Sequence, residues 1–208
     1  MTPTELPGAP RTGDEMVRVG VLALQGDFEK HAIALRAAEA DVIEVRMPSQ
    51  LDGLGGLVIP GGESTTLLKL MEGTTFFEEI PRFHRRGGAI FGTCAGLILI
   101  AKRARNPEQA SLGLLDVDVL RNGYGRQVDS FETTVPVPSL GDPPLPMVFI
   151  RAPVIEWVGS AVEVLATHGG RPVLVRSGRI LAATFHPELT SDLRVHRLFA
   201  AMCTRRPG

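Results

Sequence analysis

The sequence predicts an α/β fold: one mixed, largely parallel sheet flanked by helices. Three observations lead there. The first half alternates short β-branched apolar runs with amphipathic segments. The second half strings strand-like runs together without helices between them, which adds antiparallel pairing. Finally, 208 residues with 44% hydrophobic content fit one packed domain.

Residues 1–16 are rich in Pro, Thr and Gly, carry acids and lack an apolar core. They are expected to be a disordered lead-in rather than a secretory signal, leaving residues 17–208 as the folded domain. Residues 17–24 (VRVGVLAL) read as a strand buried on both faces. Residues 28–40 set Ile33, Leu35 and Ala38 among charges, an amphipathic helix with Asp27 as N-cap. Strands follow at 41–46 and 56–60, helices at 65–71 and 76–86, a strand at 88–92 and a helix at 95–102. Beyond Asn106, residues 116–120, 131–137, 147–151, 161–167, 172–176 and 180–185 read as strands, and 191–202 as a closing helix. The Pro-rich stretch 136–146 reads as a surface loop.

Bulk chemistry excludes several function classes. A net charge of −1 leaves no electrostatic footprint for nucleic acid or anionic membrane. No apolar run approaches the roughly 18 residues a membrane span needs. Two cysteines, Cys94 and Cys203, make no disulfide framework, so a reducing cytoplasm is the expected setting. The basic cluster around His84 reads as a solvated helix face, and His31 and His196 as surface residues of helices. His168 precedes a Gly-Gly turn, and Cys203 reads as a passive helix residue. No Cys/His spacing suggests a metal site.

Three motifs carry chemistry, and each follows an apolar strand. Gly92-Thr93-Cys94-Ala95-Gly96 has the form of a nucleophile elbow with cysteine as nucleophile. Its glycines allow a sharp turn and leave space above the sulfur, and the helix start favours thiolate over thiol. A small buried cysteine at a tight turn is the plainer alternative. His186-Pro187-Glu188 places an acid two residues from an imidazole. In an extended segment both would face one side, as the base and acid of a triad. Alone, the tripeptide reads equally as a surface turn. Pro60-Gly61-Gly62-Glu63-Ser64 offers flexible backbone whose N–H groups, with that of Ala95, would hold an oxyanion. A phosphate cradle is the rival, but no Gly-Lys-Ser/Thr follows.

In this order the motifs resemble those of the class I (triad) glutamine amidotransferases. The resemblance is strongest to the glutaminase-subunit family of two-protein pyridoxal 5′-phosphate synthases. It is carried by VLALQG (21–26), PGGESTT (60–66), GTCAG (92–96), RNGYGRQ (121–127), FIRAP (149–153) and FHPELT (185–190). The resemblance implies a single-domain class I glutamine amidotransferase-like fold and a Cys94–His186–Glu188 triad with Gly62 and Ala95 as oxyanion donors. It also implies glutamine contacts from Gly62, Glu63, Ser64, Arg121, Ile150 and Arg151. Arg121 and backbone N–H groups suit the α-carboxylate and Glu63 the α-ammonium, although the sequence leaves open which group meets which end. L-Glutamine would be hydrolysed and the ammonia passed to a separate synthase subunit. No cofactor is implied, since pyridoxal phosphate would be that partner's product.

Overall fold

The computed structural model describes residues 16–121 and 130–204. The readings of residues 1–15 and of the 122–127 part of the RNGYGRQ motif lie outside the described residues. The first half runs β1 (Arg18–Leu22), α1 (Phe28–Ala37), β2 (Asp41–Val45), β3 (Gly56–Ile59), α2 (Ser64–Met71), α3 (Phe76–Arg85), β4 (Ala89–Thr93) and α4 (Ala95–Ile100). The second half runs β5 (Ala101–Arg105), β6 (Leu115–Leu120), β7 (Ser130–Val135), β8 (Leu145–Ile150), β9 (Val154–Val158), β10 (Glu163–His168), β11 (Arg171–Ser177), β12 (Ile180–Ala183) and α5 (Arg194–Thr204).

A seven-stranded sheet of order β10-β11-β12-β4-β3-β1-β2 forms the centre. Strands β12, β4, β3, β1 and β2 are mutually parallel, and β10 and β11 add antiparallel pairs at one edge. Side chains alternate across the pleat. Leu57, Ile59, Ile90 and Ala182 pack under α2, α3 and α4. Val58, Phe91, Leu181 and Ala183 pack under α1 and α5. Both faces are covered, so the strands read as continuous apolar runs rather than alternating ones. Register then positions the chemistry: Ile59 pairs with Gly92 and Thr93 with Ala183. The three motifs therefore leave the sheet side by side at its C-terminal edge, where open α/β sheets place their sites.

Several local readings change. The helix expected at 95–102 stops at Ile100, and residues 101–105 form β5, because Ala101, Arg103, Ala104 and Arg105 pair with β6. Ala, Lys and Arg favour a helix locally, and the strand partner overrides that preference. β9 was not expected; it pairs with β6. α1 ends at Ala37, not at 40, because Glu39 turns into the left-handed region (φ 64°). Asp27 precedes α1, but its side chain makes no capping hydrogen bond. The 136–146 stretch is largely exposed, but Val137 and Leu145 are buried in the core.

The largest correction concerns α1 and α5. Ile33 is 65% exposed, whereas His31 is fully buried, as is His196 on α5. Helical phase explains it: His31 lies four residues before the buried Leu35, and Ile33 falls opposite. His196 likewise shares a face with Phe199 and Cys203.

Candidate active site

The elbow is built by close packing. A side chain at Gly96 would run into the Ile59 carbonyl, and one at Gly92 would meet the Gly96 carbonyl carbon at 2.7 Å. The two glycines thus let α4 sit against the β3 and β4 backbones, rather than clearing space above the sulfur. Cys94 takes φ 47°, ψ −103°, a conformation that non-glycine residues adopt where the fold over-determines it. Its N–H donates to the Ala183 carbonyl on β12 (2.9 Å). Its sulfur lies 4.0 Å from the Ile150 carbonyl oxygen.

His186 and Glu188 meet as expected, but by a different local route. His186 precedes a short 3-10 turn, Pro187–Leu189, instead of continuing an extended strand. The turn brings Glu188 Oε1 to 2.7 Å from His186 Nδ1. Both side chains are buried. Burial works against a charged His186 ring. Hydrogen bonds to Cys94 and Glu188, with their charges, more than offset it and hold the pKa at about 10. Burial likewise works against the Glu188 carboxylate, but the neighbouring His31 and His186 keep its pKa below the usual value. The His186 N–H donates to the Val148 carbonyl (2.8 Å), which ties the β7–β8 hairpin to the site.

A cavity of about 260 Å³ opens above the sulfur, lined by Cys94, His186, Gly62, Glu63, Ser64, Arg121, Ile150 and Arg151 with Gly26, Asp27 and Ile98. It brings together two of the three residues expected to form the triad and all six expected to contact substrate, while Glu188 stands behind His186. A larger cavity, about 1150 Å³, lies far from this chemistry near Met16, Asp41 and Arg179. Its walls hold neither Cys94 nor His186.

Around the smaller cavity, Gly62 takes φ 133°, which glycine alone adopts comfortably. Gln25 Oε1 accepts from the Glu63 N–H (3.2 Å), pinning the loop that follows β3. Glu63 also caps α2: its carboxylate accepts from the N–H groups of Thr65 (3.2 Å) and Thr66 (2.7 Å) and from both threonine hydroxyls. The Thr65 hydroxyl, despite burial opposing it, leads the hydrogen bonds that bring the Glu63 pKa to about 2. Much of its acceptor capacity is therefore committed to the helix. Ser64 Oγ donates to Gln109 Oε1 (2.8 Å) and Arg121 Nη1 to the Pro107 carbonyl (3.2 Å). Asp27, His186 and Glu188 present ligand atoms within 4.8 Å of one another, but His186 Nδ1 and Glu188 Oε1 are already committed to each other.

A buried thiol, an imidazole and a carboxylate brought together at a sheet edge are the groups that nucleophile chemistry needs, and comparison with known proteins gives the chain a lineage. Residues 21–205 match the SNO glutamine amidotransferase family. The chain belongs to that family. It is 55% identical over 186 residues to the pyridoxal 5′-phosphate synthase subunit PdxT of Koribacter versatilis, covering 89% of this chain and 95% of the relative. It is 50% identical to the protein of the same name from Deinococcus radiodurans, covering 90% and 98%. A crystal structure of a glutamine amidotransferase superposes with a TM-score of 0.83 at 50% identity, covering 89% of this chain and 98% of that one. A chain of the PurLQS structure from Thermotoga maritima shares the fold, at TM-score 0.63 and 17% identity, covering 90% of this chain and 97% of that one.

The family's sequence signature marks the cavity but not what lies behind it. Gln25, Thr93, His31 and His196 were not singled out as site residues. Helical phase relative to Leu35 and Phe199 was the available signal for the two histidines.

Proposed function

We propose that this glutamine amidotransferase hydrolyses the side-chain amide of L-glutamine through Cys94, His186 and Glu188 and supplies the ammonia to the synthase subunit of a pyridoxal 5′-phosphate synthase. The observation that carries the reading is the cavity in which Cys94 and His186 meet Arg121, Glu63 and the Gly62 backbone. The Cys94 thiolate attacks the carboxamide carbon, and the N–H groups of Gly62 and Ala95 face the oxyanion that forms. His186, held protonated by Glu188, gives its proton to the departing nitrogen, so ammonia leaves and a γ-glutamyl thioester remains on Cys94. Water, deprotonated by the same imidazole, then attacks the thioester; glutamate departs and the thiolate is regenerated.

Arg121 and the loop N–H groups suit the glutamine α-carboxylate, and the fixed negative charge of Glu63 suits its α-ammonium. Ser64, Ile150 and Arg151 complete the walls. The relatives' name, a synthase subunit, supports a separate partner that consumes the ammonia. Both cysteines are free thiols, in keeping with a cytoplasmic setting. Among the described residues no helix is long and apolar enough to cross a membrane.

The test is glutamate release by the purified chain, titrated with the synthase subunit. Turnover that rises on titration supports the reading. A high rate that saturating partner leaves unchanged supports a stand-alone hydrolase instead, and no release under either condition refutes a glutaminase.

A further inference from the structure

The triad does not end at Glu188. His31 on α1 and His196 on α5 are both fully buried behind it, against β4. His31 Nδ1 lies 3.1 Å from His196 Nε2. On its other side, His31 Nε2 lies 3.1 Å from Thr93 Oγ1 and 3.2 Å from Glu188 Oε2. His31 Nε2 hydrogen-bonds with Thr93, and Oε2 has no hydrogen bond, which leaves the His31 ring as its nearest polar neighbour. The Phe91 ring closes the cluster edge-on to His31 at 6.0 Å. His186 and Asp27 are the other titratable groups acting on His31.

Acceptor logic fixes the proton positions. An ionised carboxylate only accepts. A bare lone pair on His31 Nε2 would face Glu188 Oε2 in a dry site, so Nε2 carries the proton. Burial leads the effects on His31 and keeps its pKa below the ordinary value despite the nearby Glu188 charge, which favours the neutral ring with Nδ1 bare. His196 must then donate from Nε2. It too is neutral, its pKa brought to about 3 by burial and then by His31. Its remaining nitrogen, Nδ1, has no partner. A bare nitrogen is tolerated there more readily than an orphaned N–H.

We propose that His31 is a positioning residue of the glutaminase site: its Nε2–H faces and orients the Glu188 carboxylate that aims His186, and His196 holds His31 in the required tautomer. The inference rests on the triad reading above. Oε2 accepts no hydrogen bond of its own, so removing His31 takes away the polar N–H nearest to this buried oxygen, 3.2 Å away. The Glu188 pKa then rises, so the working ionised form is lost at a higher pH on the acid side.

The experiment uses the full chain with its synthase subunit. Wild-type, His31→Leu and His31→Gln proteins are compared for kcat, KM and the pH profile of kcat/KM. Absence of wild-type turnover overturns the glutaminase reading and this one with it. With wild-type turnover present, His31→Leu is expected to lower kcat by about tenfold or more, the scale of an outer hydrogen-bond partner. KM should stay within about twofold, the acid limb should move to higher pH, and His31→Gln, which retains an N–H donor, should recover most of the loss. A folded His31→Leu protein with wild-type kcat and acid limb overturns the proposal. Should that variant not fold, ¹⁵N NMR of the wild-type histidines decides. A neutral His31 protonated at Nε2 is expected, and an Nδ1–H tautomer or an imidazolium refutes it.

Discussion

Replacing Glu188 by glutamine changes one atom type and removes one charge, and the surroundings turn that into a large kinetic effect. In the wild-type protein Oε1 accepts from His186 Nδ1 at 2.7 Å, and Oε2 faces His31 Nε2 at 3.2 Å. Both neighbours are donors facing an acceptor-only group. A glutamine has one oxygen and one NH₂, so either orientation sets N–H against N–H on one side. Leaving one buried donor unpaired costs about 1–3 kcal/mol. Loss of charge assistance in the surviving bond to His186 weakens it by roughly half, on the order of 1–2 kcal/mol. Together these amount to about 2–5 kcal/mol, or roughly 30-fold to several thousandfold in kcat at 1.36 kcal/mol per tenfold. The pH profile gives a second, independent sign. The His186 pKa stands at about 10 partly because Glu188 favours the charged ring. Without that charge it falls, so the basic limb of kcat should move to lower pH. The corresponding contribution of His186 to stability is fully present below the ordinary histidine pKa and lost as pH rises toward 10. The assay is glutamate release with the synthase subunit present, across pH 6 to 10. A Glu188→Gln protein with kcat within about threefold of wild type and an unmoved basic limb would refute the reasoning.

Cys94→Ala should abolish hydrolysis while leaving the fold and partner binding intact, since alanine fits the same elbow; more than a few per cent residual rate, on the scale expected for losing a nucleophile, would show that the nucleophile is another group. Cys203→Ala is the matched control: that thiol is buried, with its pKa pushed up to about 12 by burial, and the variant should keep wild-type kcat with a loss of about 1 kcal/mol in denaturant unfolding. Gly61→Ala would drive a methyl group into the His186 ring, whose Nδ1 lies 3.1 Å from the new atom. It should cut kcat by about two powers of ten through misplacement of the base, with the melting temperature little changed; a kcat near wild type would show that the ring is free to move aside.

Much of this protein was legible in its sequence. Apolar runs bounded by glycine and proline gave the parallel strands, because a sheet covered on both faces demands them at every position. Gly92 to Gly96, Pro60 to Ser64 and His186 to Glu188 each carry their constraint within a few residues, so the proposed nucleophile, the glycine loop and the proposed base were readable as local chemistry. The 101–105 strand was not, because Ala and Lys prefer a helix until β6 supplies hydrogen-bond partners. Nor was the turn that joins His186 to Glu188, whose 3-10 geometry replaces the extended one expected.

The tertiary structure alone decided what lies behind the triad. His31 and His196 stand 165 positions apart, on helices whose charged neighbours suggested solvent. They meet because α1 and α5 cover the same face of the sheet, and only that packing removes both rings from water. Composition and spacing record which side chains a helix carries, whereas burial, and with it each proton's position, depends on the elements that pack against it.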